Sequence, residues 1–301
     1  MKGQRTTATM FIIGAIVLLI LILFLQTTEK AFTKSLKSPQ QIHQMARKAG
    51  ILIKVDYQFV DHDEQTKTDI IRKGAHFASG FMARYSKFSK TPFVLSAGHV
   101  ALLPHQETTK YWACFPNAEK PEELELFIVD PLGQEDFAGF RFKNSEAAEK
   151  LAGRALDLGS SNDLRIGDQV FAFGVFKQTL FTFTTGNIVS LNSRDSNFLR
   201  PQTLLSSALI NYNSSGGPLL NIYGEAVGIN VSIIFNPPGL APITLFESVP
   251  IDGVKETLFF ANYYPKQADL PLVVTHPSIG QIDFLNSWEY TDQELEGFGL
   301  Q

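Results

Sequence analysis

An all-β domain is the fold class this sequence predicts, and three observations predict it. From Ile51 onward the chain runs through short segments rich in Phe, Val and Ile, each bounded by turn residues: ILIKVDYQFV, ASGFMARY, TPFVLSAGH, ELFIVD, DFAGFRF, QVFAFGVF, TGNIVSL, PLLNIYG and AVGINVSIIF. Little helical periodicity separates them, which favours a barrel or sandwich over a parallel sheet with crossover helices. The composition, 44% hydrophobic and 19% charged over 301 residues, supplies a core for one large domain of two sub-barrels or for two ordinary domains.

The elements follow in order. Lys2 and Arg5 precede Ala8 to Leu25, an apolar run without a charge. At ~1.5 Å per residue it spans most of a ~30 Å hydrocarbon layer, and the flanking cations hold its start on the cytoplasmic side. No small-x-small cleavage pattern follows, so the run is expected to be an uncleaved transmembrane anchor, with the rest of the chain periplasmic or extracellular. Residues 1–37 thus read as anchor and tether. Ser38-Pro39 then supplies an N-cap and a first-turn proline for a short helix with Ile42, Met45 and Ala46 on one face and Gly50 as its stop. The β segments occupy the chain to about residue 250, interrupted by a short helix within 145–156. Pro250 to Phe260 closes the domain as an amphipathic helix, so the domain is bounded at 38–260, and 261–301 forms a Pro-containing acidic extension.

Several function classes drop out early. A net charge of −4 without a Lys/Arg stripe excludes a nucleic-acid footprint. The single Cys114 cannot make an intrachain disulfide and reads as a small buried apolar residue. Asp61-His62-Asp63-Glu64 carries ligand-type residues, but adjacent side chains in a polar turn diverge, so no metal and no cofactor are expected.

Three segments carry chemistry. NSSGGPLL at 213–220 offers two serines, and a serine hydroxyl is a poor nucleophile unless a base removes its proton. Of six histidines, only His99, in VLSAGHV at the end of an apolar strand, is set where an imidazole would emerge at a barrel edge. A buried carboxylate must then hold the imidazole's tautomer. Asp136, which opens the alternating strand DFAGFRF, is one candidate. Asp130, Glu146 and Asp157 compete with it, and spacing alone does not choose among them.

Taken together, these segments resemble the trypsin-fold serine proteases, and most closely the HtrA-type, DegP-like branch. ASGF at 78–81, VLSAGHV at 94–100, DP followed by DFAGF at 130–140, LDLGSSNDLRIGDQVFAFG at 156–174, TTGNIVS at 184–190, INYNSSGGPLLNIYGEAVGIN at 210–230 and SVPIDGVK at 248–255 match the branch as collinear blocks. The resemblance implies two six-stranded antiparallel β-barrels with the site between them. It makes Ser215 the nucleophile, His99 the general base, Asp136 its orienting partner, and the N–H groups of Asn213 and Ser215 the oxyanion hole. It also places Leu209, six residues before the nucleophile, at the base of the specificity pocket. Ile229, Asn230 and Val231, with Ser232, become the strand that pairs with substrate backbone.

The departures are specific. Asn213 stands where the family has glycine, at a position needing a left-handed conformation that Asn tolerates. Ser214 replaces the acid or amide usual there, so activation by a freed N-terminus is not expected. Leu209 gives no carboxylate for Arg or Lys, which favours small or medium apolar substrate side chains. About forty residues follow the closing helix, short of the ~100 of an ordinary domain, so no PDZ module is expected. Family members form trimers, and a homo-oligomer is carried here as an expectation. Two readings stay open: a membrane-anchored endopeptidase acting on polypeptides in envelope quality control or processing, and a catalytically silent relative that binds extended peptides as a scaffold.

Overall fold

A computed structural model of the chain describes residues 34–63, 67–101, 107–116, 120–130, 135–176, 179–191, 203–211, 213–235, 244–261 and 272–273. The expected anchor at residues 8–25, Tyr212, Asn236 to Gly239 and most of 261–301 lie outside them. Among the described residues no helix is long and apolar enough to cross a membrane. From Lys37 the chain forms one compact unit.

Helix α1 (Pro39–Ala49) starts as its sequence requires. The Ser38 side chain accepts from the Gln41 N–H (3.3 Å) and the Gln41 side chain returns the bond to the Ser38 N–H (2.8 Å), a reciprocal cap that satisfies two otherwise orphaned donors. Ile42, Ala46 and Ala49 are buried on its inner face.

Strands β1 (Gly50–Asp63), β2 (Thr68–Arg84) and β3 (Phe93–Ala97) are followed by a single helical turn, α2 (Gly98–Ala101). Then come β4 (Glu107–Cys114), β5 (Glu122–Asp130) and β6 (Phe137–Phe142). The sheet order β1-β4-β5-β6-β3-β2 closes on itself because β1 also pairs with β2, which makes a six-stranded antiparallel barrel. Beyond it lie α3 (Ser145–Leu151), a short 3₁₀ turn at Ala152–Arg154 and β7 (Leu156–Asp157), which adds to β2 in parallel. The second half contributes β8 (Gln169–Phe176), β9 (Thr179–Ser190), β10 (Leu204–Ser206), β11 (Pro218–Leu220), β12 (Ala226–Phe235) and β13 (Thr244–Pro250). These close into a second barrel of order β10-β13-β12-β11-β8-β9. Helix α4 (Ile251–Ala261) forms where a helix is expected, and β14 (Leu272–Val273), in the extension for which no element was expected, pairs with β5 in parallel.

Burial explains why closure is favoured. Phe81, Phe93, Phe137 and Phe140 of the first barrel are fully buried, each contributing on the order of 2–3 kcal/mol of apolar transfer. The same cluster continues into Phe171, Phe173, Ile229 and Val249 of the second barrel and Val254 and Leu258 of α4, so one core spans both barrels. A second cluster, with Val170, Ile188, Leu204, Leu219 and Phe246, fills the second barrel. Strand β6 departs from the alternating pattern its sequence suggests: only Arg141 is partly exposed, because a central strand between β3 and β5 is covered on both faces. Arg141 lays its guanidinium 4.6 Å from the Phe127 ring centroid, a cation–π contact that lets its charge stay near solvent.

Tyr111 donates its hydroxyl to the Ala101 carbonyl (2.8 Å), and Trp112 Nε1 donates to Asp56 (2.7 Å). Cys114 is buried, and loss of hydration pushes its thiol up to about 12, so it is chemically inert near neutrality.

Candidate active site

Register brings His99 and Asp136 together. In the antiparallel β3–β6 pair Ser96 faces Ala138 and Ala97 faces Phe137, so the chain leaving β3 meets the chain entering β6. Turn α2 passes so close to the end of β5 that a Cβ on Gly98 would lie 2.2 Å from the Asp130 carbonyl oxygen; glycine alone fits.

Asp136 is wholly buried and holds a left-handed φ of 36°, a conformation an Asp adopts only when its surroundings over-determine it. What determines it is His99. The His99 backbone N–H donates to Asp136 Oδ1 (2.8 Å), and His99 Nδ1 lies 2.9 Å from Oδ2 and 3.2 Å from Oδ1. A carboxylate facing Nδ1 requires the proton there, which leaves Nε2 as the basic nitrogen. The competing acids are placed otherwise: Asp130 Oδ2 accepts from the Glu135 N–H, Glu146 is exposed in the first turn of α3, and Asp157 pairs with Arg84.

His76, on β2, has its pKa lowered to about 4, first by desolvation and second by the His99 charge, so it is neutral near pH 7. Glu135 is pushed up to about 7, chiefly by burial and further by the charges of Asp130 and Glu256, while Thr257 of α4 donates to it (3.0 Å) and pulls the other way.

The two serines separate cleanly. Ser214 is fully buried, its hydroxyl donating to the Val175 carbonyl (3.3 Å) and accepting from the Asn211 N–H (3.2 Å). Ser215 is half-buried, and its hydroxyl donates to the Val231 carbonyl (3.1 Å). Around them the loop is held by its own backbone: Ser214 N–H to Asn211 O (3.0 Å), Gly217 N–H to Ser214 O (2.9 Å), Gly216 N–H to Asn230 O (2.7 Å) and Asn230 N–H to Gly217 O (2.8 Å). Asn213 adopts φ 70°, the left-handed conformation expected of the glycine it replaces. Gly216 has φ 90°, and a Cβ there would meet Ser79 O at 2.1 Å and Ser96 Oγ at 2.2 Å.

The expected substrate contacts are placed differently from one another. Leu209 is 60% exposed, with its carbonyl held by the Thr184 hydroxyl (2.6 Å). Ile229 and Val231 are buried on β12, and a bulge interrupts the β12–β13 register between Asn230 and Ser232. The Asn230 side chain turns inward: Nδ2 reaches the carbonyls of Phe173 (3.2 Å) and Pro218 (3.3 Å), and the Ser248 hydroxyl donates to Oδ1 (3.0 Å). This amide is a brace beneath the Ser215 loop. Ser79, singled out at first only as part of the ASGF segment, also enters the site: its N–H donates to the Ser215 carbonyl (3.0 Å) and its hydroxyl to the Asn213 carbonyl (2.6 Å).

Two closed antiparallel barrels, with a carboxylate–imidazole pair built on one and a serine loop on the other, define the trypsin-like architecture. The trypsin-like peptidase domain model matches residues 78–229, half of the chain, and the chain belongs to that family. A probable periplasmic serine endoprotease, DegP-like, of Rickettsia prowazekii is 25% identical over 198 residues, covering 60% of this chain and 38% of the relative. Serine protease HTRA3 of Homo sapiens is 44% identical over 117 residues, covering 36% of this chain and 23% of the relative. The chain therefore spans well under half the length of the curated relatives it matches. Among solved structures, the HtrA-type protease AlgW with decapeptide shares the fold with a TM-score of 0.57 at 17% identity, over 76% of this chain and 68% of that one.

Proposed function

We propose that this chain is a serine endopeptidase that cleaves polypeptides through an acyl-enzyme. The observation that carries the reading is the buried Asp136 carboxylate gripping His99 through both its ring and its backbone, on the barrel facing the Ser215 loop. That arrangement fixes the one tautomer a general base needs.

Before attack the Ser215 proton leaves the Val231 carbonyl for the imidazole, by rotation about the serine Cα–Cβ bond. Ser215 Oγ then adds to the scissile carbonyl carbon while His99 Nε2 takes the proton, and Asp136 stabilises the imidazolium. The N–H groups of Asn213 and Ser215 hold the oxyanion, an electrostatic contribution worth about 10²–10³ in rate per donor. His99 returns the proton to the departing amine, which leaves the acyl-enzyme, and a water activated by the same imidazole hydrolyses it. Of the strand expected to receive substrate, the Ile229 and Asn230 backbones are already paired with β11, β13 and the serine loop, so strand addition falls to Val231 and Ser232 at the bulge, and Leu209 favours small or medium apolar side chains.

The apolar run at 8–25 supports a single-pass anchor, with the barrels outside the cytoplasm and a role in envelope protein quality control or processing. Peptide bound to AlgW supports a polypeptide substrate here. The test is labelling by a fluorophosphonate probe in membranes and in detergent. Labelling of the wild type and its loss in Ser215→Ala support the hydrolase. A folded wild type that takes no label favours the peptide-binding scaffold.

A further inference from the structure

One residue of the first barrel holds both carbonyls that flank Ser214. Ser79 donates its hydroxyl to Asn213 O (2.6 Å) and its N–H to Ser215 O (3.0 Å). Its hydroxyl oxygen also accepts from the Val175 N–H (2.7 Å), so the side chain is held by two groups of the second barrel while its proton goes to the Asn213 carbonyl. The Ser79 carbonyl receives the Ser96 hydroxyl (2.8 Å), and that carbonyl is what forbids a side chain at Gly216. Ser79 is 1% exposed, so water does not compete for these bonds. Three of the four bonds run from one barrel to the other.

We propose that Ser79 is a positioning residue for the oxyanion hole, and that it is what lets this chain carry asparagine at position 213. A non-glycine residue with φ 70° sits away from its preferred region and relaxes when nothing holds it. The bond to the Asn213 carbonyl fixes the 213–214 peptide plane and that to the Ser215 carbonyl fixes the 215–216 plane, so the segment between them, which carries the Ser215 N–H, is held at both ends. Removing the hydroxyl takes away the bond that opposes a return of Asn213 to negative φ, a change that turns its N–H away from the oxyanion. Glycine at 213 feels no such pull, because positive φ costs it nothing. The dependence on Ser79 is therefore a property of Asn213, and the two residues are coupled across 134 positions of sequence.

This inference rests on the hydrolase reading, and its test separates the two. Fluorophosphonate labelling rates are measured for wild type, Ser79→Ala, Asn213→Gly and the double variant, with Ser215→Ala as blank and thermal unfolding as the check on folding. Ser79→Ala is expected to label about 10- to 100-fold more slowly than wild type, and with a peptide substrate to lose kcat at unchanged KM. In the Asn213→Gly background the same substitution is expected to cost less than about threefold. Ser79→Thr, which keeps the hydroxyl, restores the rate. Should Ser79→Ala not fold, Ser79→Cys, which keeps the shape with a weak donor, is compared in both backgrounds. Equal losses in both backgrounds, or an undiminished Ser79→Ala, overturn the positioning role while leaving the hydrolase standing. An unlabelled, folded wild type overturns the hydrolase reading and this inference with it.

Discussion

Asp136 grips His99 twice, through the imidazole Nδ1 at 2.9 Å and through the backbone N–H at 2.8 Å, so one buried carboxylate sets both the orientation of the ring and the turn that carries it. The second bond ties the geometry of the pair to the fold, since α2 cannot shift without losing it.

Asp136→Asn keeps the shape but presents an amide whose donors and acceptor no longer dictate the proton on Nδ1. Peptide hydrolysis is expected to fall about 10³- to 10⁴-fold in kcat with KM little changed. Retention of more than a tenth of the wild-type kcat sinks the assignment.

Gly216→Ala forces a Cβ to within 2.1 Å of the Ser79 carbonyl at a φ of 90°, and neither neighbour is the loose end of a flexible side chain. Urea unfolding is expected to show a loss of about 3 kcal/mol or more, and labelling of Ser215 should disappear. A variant as stable and as reactive as wild type contradicts the close approach of the barrels at this point.

Glu135 makes stability depend on pH in a defined direction. Its folded pKa is raised to about 7 from an ordinary 4.5, so between these values the folded state binds more protons than the unfolded one. Its contribution is fully present below about pH 4.5 and is lost as pH rises through about 7, by about 3 kcal/mol in the limit of full ionisation. Glu135→Gln, which cannot ionise, should gain stability relative to wild type between pH 5 and 8, and denaturation midpoints that track each other across this range refute the shift.

Asn230 braces the serine loop through its amide. Asn230→Ala strands the bonds to Phe173, Pro218 and Ser248 and is expected to cost about 2–4 kcal/mol. Asn230→Asp should be worse, because it sets a buried carboxylate against two carbonyl oxygens. Chemical denaturation of the pair decides it: an aspartate variant as stable as the alanine one shows the amide is not the donor assigned here.

Much of the domain was legible from residue order. The Ser38 cap, the strand at 226–235 and the closing helix are local matters of capping, β-branched and aromatic content, and amphipathic spacing, and they form where their residues require. Of the barrel strands, β4, β10 and β13 are not among the segments that the sequence marks. Leu204–Ser206 is too short for a period to show, and Thr244–Pro250 carries a buried Glu247 that reads as surface in sequence but is covered between its two neighbouring strands. In the long β1–β2 hairpin the sequence marks 51–60 of β1 but β2 only from Ala78, because the outer part of β2 mixes charged residues with the exposed Ile70 and Ile71 and is held by cross-strand pairing rather than burial.

The site divides the same way. Sequence by itself determined that His99 follows an apolar strand, that Asp136 opens another, and that a serine sits before Gly-Gly-Pro, since each depends on neighbours a few residues away. Spacing left Asp130, Asp136, Glu146 and Asp157 open and the resemblance pointed to Asp136; the tertiary structure set Asp136 against His99, separated a buried Ser214 from a half-buried Ser215, turned Asn230 into a brace and brought Ser79 onto the serine loop. The physical reason is that strand register and barrel closure join residues far apart in the chain, and the hydrogen bonds that choose a partner exist only once those distances have closed.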